Sequence, residues 1–264
     1  MNSRWIYLSP HLDDAAFSCG GLIWEQAQAG LEVLVWTVCA GDPPEGPLSP
    51  FAESLHQRWG SGEEAGRVRR QEDLRASEIL GAVSHHLPIP DCIYRRQPGS
   101  GDYLYASEES LFAELHASEV ELVESLARSL GEVVLALALN QLGPGGVNLV
   151  CPLGLGGHVD HQLTRAAAER LACYEPACRM WYYADFPYIL EDGTLLSELP
   201  RGGWQTQVFP VSPAGLDAWQ RAMAAHHSQI STFWDGVADM EASIQAYCQE
   251  TGGVRLWWKA GSES

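Results

Sequence analysis

The sequence predicts an α/β fold: a Rossmann-like, mostly parallel sheet flanked by helices, forming a single domain over residues 1–264. Three observations carry that expectation. Residues 5–8 (Trp-Ile-Tyr-Leu), a helical stretch ending at Gly30 and residues 31–39 give strand, helix, strand in the first forty residues, the unit from which parallel sheets are built. Residues 31–39 are almost unbroken apolar, as in a strand covered on both faces. Far along the chain, residues 147–151 again run through a Gly-rich loop into a helical pattern.

The first strand halts at Ser9-Pro10. Leu12, Ala16, Cys19, Ile23 and Ala27 then recur every three or four positions, and Gly30 ends the helix. Gly20-Gly21 inside it weaken a helix by about 1 kcal/mol each relative to Ala, so a close approach of helix to sheet is expected there. Residues 40–64 are rich in Pro, Gly and Ser and are read as one long loop, of the length that commonly forms lids. A helix over 65–80 stops at Gly81, and a short strand near 86–89 leads into Pro90-Asp91. A further loop, 99–105, precedes a helix beginning near Ser107. Ser118-Glu119-Val120-Glu121 has the form of a capping box. Val120, Val123, Ala127, Leu130, Val134 and Leu137 keep helical spacing through the apolar stretch 133–139, so helix is expected as far as Gly143-Pro144-Gly145-Gly146. Strand 147–151, loop 152–157 and a helix over 158–173 follow, then strands near 180–183 and 205–209. A helix from Ser212-Pro213 carries Leu216, Trp219, Met223 and Ile230 on one side, and 255–258 is expected as the last strand.

Thirty-four acidic against 16 basic side chains give a net charge of −18, which argues against a general grip on phosphate backbones or anionic lipid. A small neutral or cationic substrate is the expected partner, with no nucleic acid and no membrane; a homo-oligomer is left open. The first ten residues are read as too short and polar for a signal peptide, and no run reaches the ~18 apolar residues of a membrane span. The 7 cysteines are scattered without a C-x-x-C pair, consistent with reduced thiols and a cytoplasmic location.

Two segments offer chemistry, each at a strand-to-helix turn where open α/β sheets bind ligands. Pro10-His11-Leu12-Asp13-Asp14 follows the first strand, and Gly157-His158-Val159-Asp160-His161 follows strand 147–151. Imidazole and carboxylate are the ligands of a catalytic zinc, which takes three protein groups and leaves a position for water. Water on such a metal loses a proton near neutral pH, and a base must take it. Of Asp13 and Asp14, one can bind metal and the other act as base. His158 and His161, three apart on one helix face, can divide metal binding from oxyanion stabilisation or leaving-group protonation. Alone, an Asp-Asp pair reads as a helix cap and an H-x-x-H as a surface helix; together, at one sheet edge, they read as a metal site.

These residues resemble the PIG-L/LmbE-like family of metal-dependent de-N-acetylases. The resemblance rests on Ser9-Pro10-His11-Leu12-Asp13-Asp14 with Gly20-Gly21, and on the run from Pro152 to His161. It extends to Arg69-Arg70-Gln71-Glu72, Pro90-Asp91, His226-His227-Ser228-Gln229 and Arg255-Leu256-Trp257. It implies hydrolysis of an N-acetyl or other N-acyl group from an N-acetylglucosamine-containing or related small molecule, using Zn2+ or another divalent metal such as Fe2+. It further implies metal ligands His11, Asp14 and His161 and a general base Asp13. His158 would stabilise the oxyanion and Asp160 orient a histidine, while Arg69, Asp91 and His226 would contact substrate. Leu12 and Ala15 depart from the common A-H-P-D-D-E pattern, and neither is a ligand.

Trp59 is the candidate sugar platform, while Trp24, Trp36 and Trp219 fit core positions, and His85-His86 a solvated or core-edge role. Two other readings stand beside the deacetylase. One is a non-catalytic sugar- or metal-binding relative; the other is a metal-dependent esterase or phosphatase, though no G-x-x-x-x-G-K-[ST] loop is present.

Overall fold

A computed structural model describes residues 3–59, 64–139, 146–174, 178–191 and 203–259. Its strands are β1 (Arg4–Ser9), β2 (Val33–Thr37), β3 (Val83–His86), β4 (Val147–Pro152), β5 (Cys178–Tyr183), β6 (Trp204–Phe209) and β7 (Val254–Lys259). They form one sheet in the order β3-β2-β1-β4-β5-β7-β6. The first five in that order are parallel, and β7 runs antiparallel to both of its neighbours. The mostly parallel sheet predicted from sequence is therefore present, with an antiparallel edge added at one side.

The helices are α1 (Asp14–Gln28), α2 (Pro50–Arg58), α3 (Ala65–Leu80), α4 (Glu108–Leu111), α5 (Val120–Leu139), α6 (Val159–Tyr174), α7 (Tyr188–Glu191), α8 (Pro213–Ala225), α9 (His227–Phe233) and α10 (Val237–Thr251). From β1 the chain moves through α1 to β2 on one side. From β4 it moves through α6 to β5 on the other. Right-handed crossovers running in opposite directions place their helices on opposite faces. Accordingly α1 packs with α3 and α8, and α6 with α5. Buried between these layers, β1, β2, β4 and β5 carry the core, including Ile6, Leu8, Val35 and Leu149. The order reverses between β1 and β4, and the crevice at their carboxyl ends is the expected ligand site.

Several local expectations are corrected. The strand expected near 86–89 lies three residues earlier: Leu87 still donates to Thr37 O (2.8 Å), but Pro88 and Pro90 lack an N–H and make only isolated bridges. The loop 40–64 contains α2, started by Pro50 and by Ser49, whose hydroxyl accepts from Ala52 N. No Ser118 capping box forms. His116 caps the 3-10 turn Ala117–Glu119 through Ser118 N, and Glu119 is drawn into a buried ion pair with Arg95. The apolar stretch 133–139 is helical as expected, while Gly143, Pro144 and Gly145 lie outside the described residues. The helix from Ser212 breaks at His226, so Ile230 belongs to α9, and α10 was not foreseen. Gly20 and Gly21 face a helix rather than the sheet: a Cβ on Gly20 would stand 2.4 Å from Cδ1 of Trp219 in α8. The Trp219 indole donates to Ala16 O (2.8 Å), which holds the two helices in that contact.

Candidate active site

The turn after β1 is shaped by Ser9, whose hydroxyl accepts from Ala15 N (2.9 Å), closing the chain into α1. Asp13 occupies the N-cap position but its side chain makes no capping bond, so its carboxylate is free for other work. Asp14 accepts from His11 N (2.7 Å), which pins its Oδ2 close to the ring of His11. After β4, the chain turns through Gly156 at φ +81°, where a Cβ would meet the ring of Tyr188 at 3.0 Å. It then enters α6 with His158, Asp160 and His161 on its first turn.

Each of two histidines has one ring nitrogen engaged by a buried carboxylate. His11 Nε2 lies 3.0 Å from Asp160 Oδ2, and His161 Nδ1 lies 2.6 Å from Asp185 Oδ1. A carboxylate can only accept, so these nitrogens carry the protons. The opposite nitrogens converge: His11 Nδ1 is 3.2 Å and His161 Nε2 3.4 Å from the same oxygen, Asp14 Oδ2. His161 Nε2 is buried with no hydrogen-bond partner. Two imidazole lone pairs, one of them on the orphaned nitrogen of His161, and a carboxylate oxygen form a donor set that fits a divalent metal.

His158 is also close, since its nitrogen and those of His11 and His161 lie within 4.8 Å of one another. Its role differs, because Asp160 N donates to His158 Nδ1 (3.2 Å), leaving the proton of a neutral ring on Nε2. Burial and then the charge of His11 push His158 down to about 3, so the ring is a neutral donor. Burial disfavours charge on His161 too, yet Asp14 and Asp185 carry it up to about 10, a second ring proton that a metal at Nε2 would displace. Burial and the adjacent Asp14 raise Asp13 above the usual carboxylate range, against the pull of Arg69. Asp14 is held well below that range by His161 and His11 despite its burial.

The site floors a cavity of about 370 Å³ that Arg69, Asp91, Trp59 and Gln229 help to line. Arg69, not Arg70, faces it: its Nη2 is 3.5 Å from Asp13 Oδ1 and its guanidinium lies 4.8 Å from the Trp59 ring. Arg70 instead binds Ala40 O and Asp42 on α3's outer side. Asp91 Oδ2 stands 3.9 Å from both Arg69 Nη1 and His11 Nε2. His226 is not among the cavity's walls. It is buried against Phe17, and burial lowers its pKa. The wall of that segment is Gln229 instead, placed because Glu72 accepts from Ser228 N (2.9 Å) and Oγ (2.6 Å) at the start of α9.

Sequence reasoning missed Asp185, Arg95 and Glu119. Asp185 had a signal, since it stands two residues beyond the buried strand β5 on the site's own sheet edge. Arg95 donates to both Glu119 and Asp160 with 6% of its side chain exposed, and no motif announced it. Phe112 and Tyr188, at the cavity wall, were likewise unannounced.

Among known proteins, a family profile described as PIG-L, GlcNAc-PI de-N-acetylase, matches residues 6–172. A curated relative from Corynebacterium glutamicum, 1D-myo-inositol 2-acetamido-2-deoxy-alpha-D-glucopyranoside deacetylase, is 27% identical over 97% of this chain and 84% of its own. The 2'-N-acetylparomamine deacetylase of Streptomyces fradiae is 30% identical over 70% of this chain and 57% of its own. The solved structure of a zinc-inhibited form of teicoplanin deacetylase superposes with a TM-score of 0.81 at 27% identity, covering 97% of each chain. With a family match across more than half its length and both sequence motifs meeting at one sheet edge, the chain belongs to the PIG-L family of GlcNAc-PI de-N-acetylases.

Proposed function

We propose that this protein is a metal-dependent amide hydrolase that removes an N-acetyl or other N-acyl group from an amino sugar, free or carried on a larger glycoside. One observation carries the reading: His11 and His161, each fixed by its own carboxylate, aim their remaining nitrogens at one oxygen of Asp14. His11, Asp14 and His161 would hold the ion, zinc or another divalent metal such as iron(II). When bound, that ion supplies a Lewis acid and makes water acidic enough to lose a proton near neutral pH.

The chain's own groups do the rest. Asp13, not spent on capping the helix, takes the proton from water and later gives it to the departing amine. Its raised pKa suits a group that must both accept and return a proton. His158 presents Nε2–H to the carbonyl oxygen as negative charge develops there. Asp160 and Asp185 keep His11 and His161 in the tautomers that bind metal. Arg69 and Asp91, beside Trp59, contact sugar hydroxyls.

The names of the relatives support an N-acetylated amino sugar as substrate, and the reading is tested on metal-quantified protein. His11→Ala is expected to lose the metal and with it acetate release from N-acetylated sugars. Asp13→Asn is expected to keep the metal and lose turnover by about 10²–10⁴-fold, as for other general acid–base groups. A His11→Ala protein that retained both metal and activity would sink the proposal. Loss of metal in Asp13→Asn would instead show that the roles of Asp13 and Asp14 are wrongly divided.

A further inference from the structure

The cavity has two unlike flanks. On one, Asp13 lies beside Arg69, whose guanidinium also stands near Asp91 and over the Trp59 ring. On the other, the ring of Phe112 stands edge-on to His158, 5.5 Å between centroids, and that of Tyr188 edge-on to His161 at 5.9 Å. The two rings are 6.4 Å apart and form one apolar wall. Tyr188 is seated against Gly156, where a side chain would collide with it. Phe112 is 41% exposed, a large aromatic surface left open beside the chemistry.

Amide geometry assigns that wall. A planar amide carbon carries an oxygen, a nitrogen and a carbon chain. With the oxygen at His158 and the nitrogen towards Asp13, from which it takes its proton, the sugar lies on the Arg69 flank. The chain then leaves through the remaining sector, along Phe112 and Tyr188. An acetyl group offers that sector a single methyl, too short to cover two rings whose centroids stand 6.4 Å apart.

Resting on the amide-hydrolase reading above, we propose that the acyl group removed is longer than acetyl, a medium-length aliphatic chain laid along Phe112 and Tyr188. The reaction balances as simple hydrolysis. Water's oxygen bonds to the acyl carbon, the C–N bond breaks with its electron pair leaving on nitrogen, and nitrogen takes the proton that Asp13 received from water. The products are a carboxylic acid and a free amino sugar.

The test compares kcat/KM of the zinc-loaded full chain for N-acetyl-, N-butanoyl-, N-hexanoyl- and N-octanoyl-glucosamine, and for an aryl glycoside of N-acetylglucosamine, reading free amine. Full burial of a methylene contributes up to about fourfold. Because the wall covers only one side of the chain, about tenfold is expected between hexanoyl and acetyl. Phe112→Ala is expected to reduce that ratio towards unity, and Phe112→Leu, which restores apolar surface, to recover part of it. Acetyl favoured over every longer chain overturns the inference while leaving the hydrolase reading intact. So does a gain confined to the aryl glycoside and lost in Phe112→Ala, which would assign the wall to the aglycone. Cleavage of no amide in the panel overturns the hydrolase reading and this inference with it.

Discussion

Asp185 illustrates how a single side chain sets the chemistry of a residue it supports. Its Oδ1 accepts a hydrogen bond from His161 Nδ1, and its Oδ2 accepts from Leu155 N (2.8 Å), so it ties the Gly-rich loop to the histidine. Replacing it by Ala frees the imidazole to rotate or to take the other tautomer. Loss of such a supporting carboxylate commonly weakens a metal site by about 10–100-fold. Asp185→Ala is therefore expected to raise the dissociation constant for zinc by that factor, measured by competition with a chelating dye. An unchanged affinity would mean that Asp185 only braces the loop. At this scale the sequence was legible where chemistry is contiguous: His11, Asp13 and Asp14 share one turn, and His158, Asp160 and His161 another. Asp185 escaped because one carboxylate after a strand has no partner in its own segment. The choice of Arg69 over Arg70 came from the resemblance and not from spacing, because neighbouring helical positions differ only in the face they present.

Between elements, one close constraint is α1 against α8. Gly20 and Gly21 exist for that contact, with the Trp219 indole laid over them and hydrogen-bonded to Ala16 O and Phe17 O. Gly20→Ala would gain about 1 kcal/mol of helix propensity. It must also displace an indole that is fully buried, and such overpacking costs about 1–3 kcal/mol. The net expectation is destabilisation, seen as a lower urea midpoint. The same change in a Trp219→Leu background should cost less, because the atom it strikes is gone. Equal cost in both backgrounds would refute the contact as the reason for the glycines. Each helix was readable from spacing, but their pairing was not, since periodicity reveals a buried face without naming what buries it. For α2 the obstacle was composition: the Pro, Gly and Ser of 40–64 masked a nine-residue helix whose signal was only Ser49-Pro50. Its Ala52 and Leu55 join Ile93 and Leu111 in a second apolar cluster under the cavity mouth.

Across the whole molecule the sheet order decides where the site lies, and a buried ion network holds the site to the surrounding chain. The reversal between β1 and β4 brings the two motifs together from positions nearly 150 residues apart, as between His11 and Asp160 (|i−j| = 149). That convergence was legible, because each motif announced a strand end. Arg95 was not legible, because it acts through residues from three distant segments. It binds Glu119 in the 3-10 turn before α5 and Asp160 in α6, and Asp160 in turn holds His11 after β1 and accepts from Cys92 N (3.0 Å). Arg95 keeps the fully buried Asp160 charged, well below the usual carboxylate range despite its burial. Arg95→Met keeps the volume but leaves two buried carboxylates without a counter-charge, a change that typically costs about 3–5 kcal/mol. Pairing it with Glu119→Gln and Asp160→Asn removes those charges and should recover much of the loss in stability. Zinc affinity should not recover in the triple variant, because a neutral amide in place of the Asp160 carboxylate no longer holds the His11 proton by charge. Denaturant midpoints and zinc dissociation constants measured on the same variants separate the two effects. Recovery of both together would mean that the network serves folding alone. Loss of affinity persisting in a protein of near-normal stability would show Arg95 and Asp160 setting the metal site through charge and orientation.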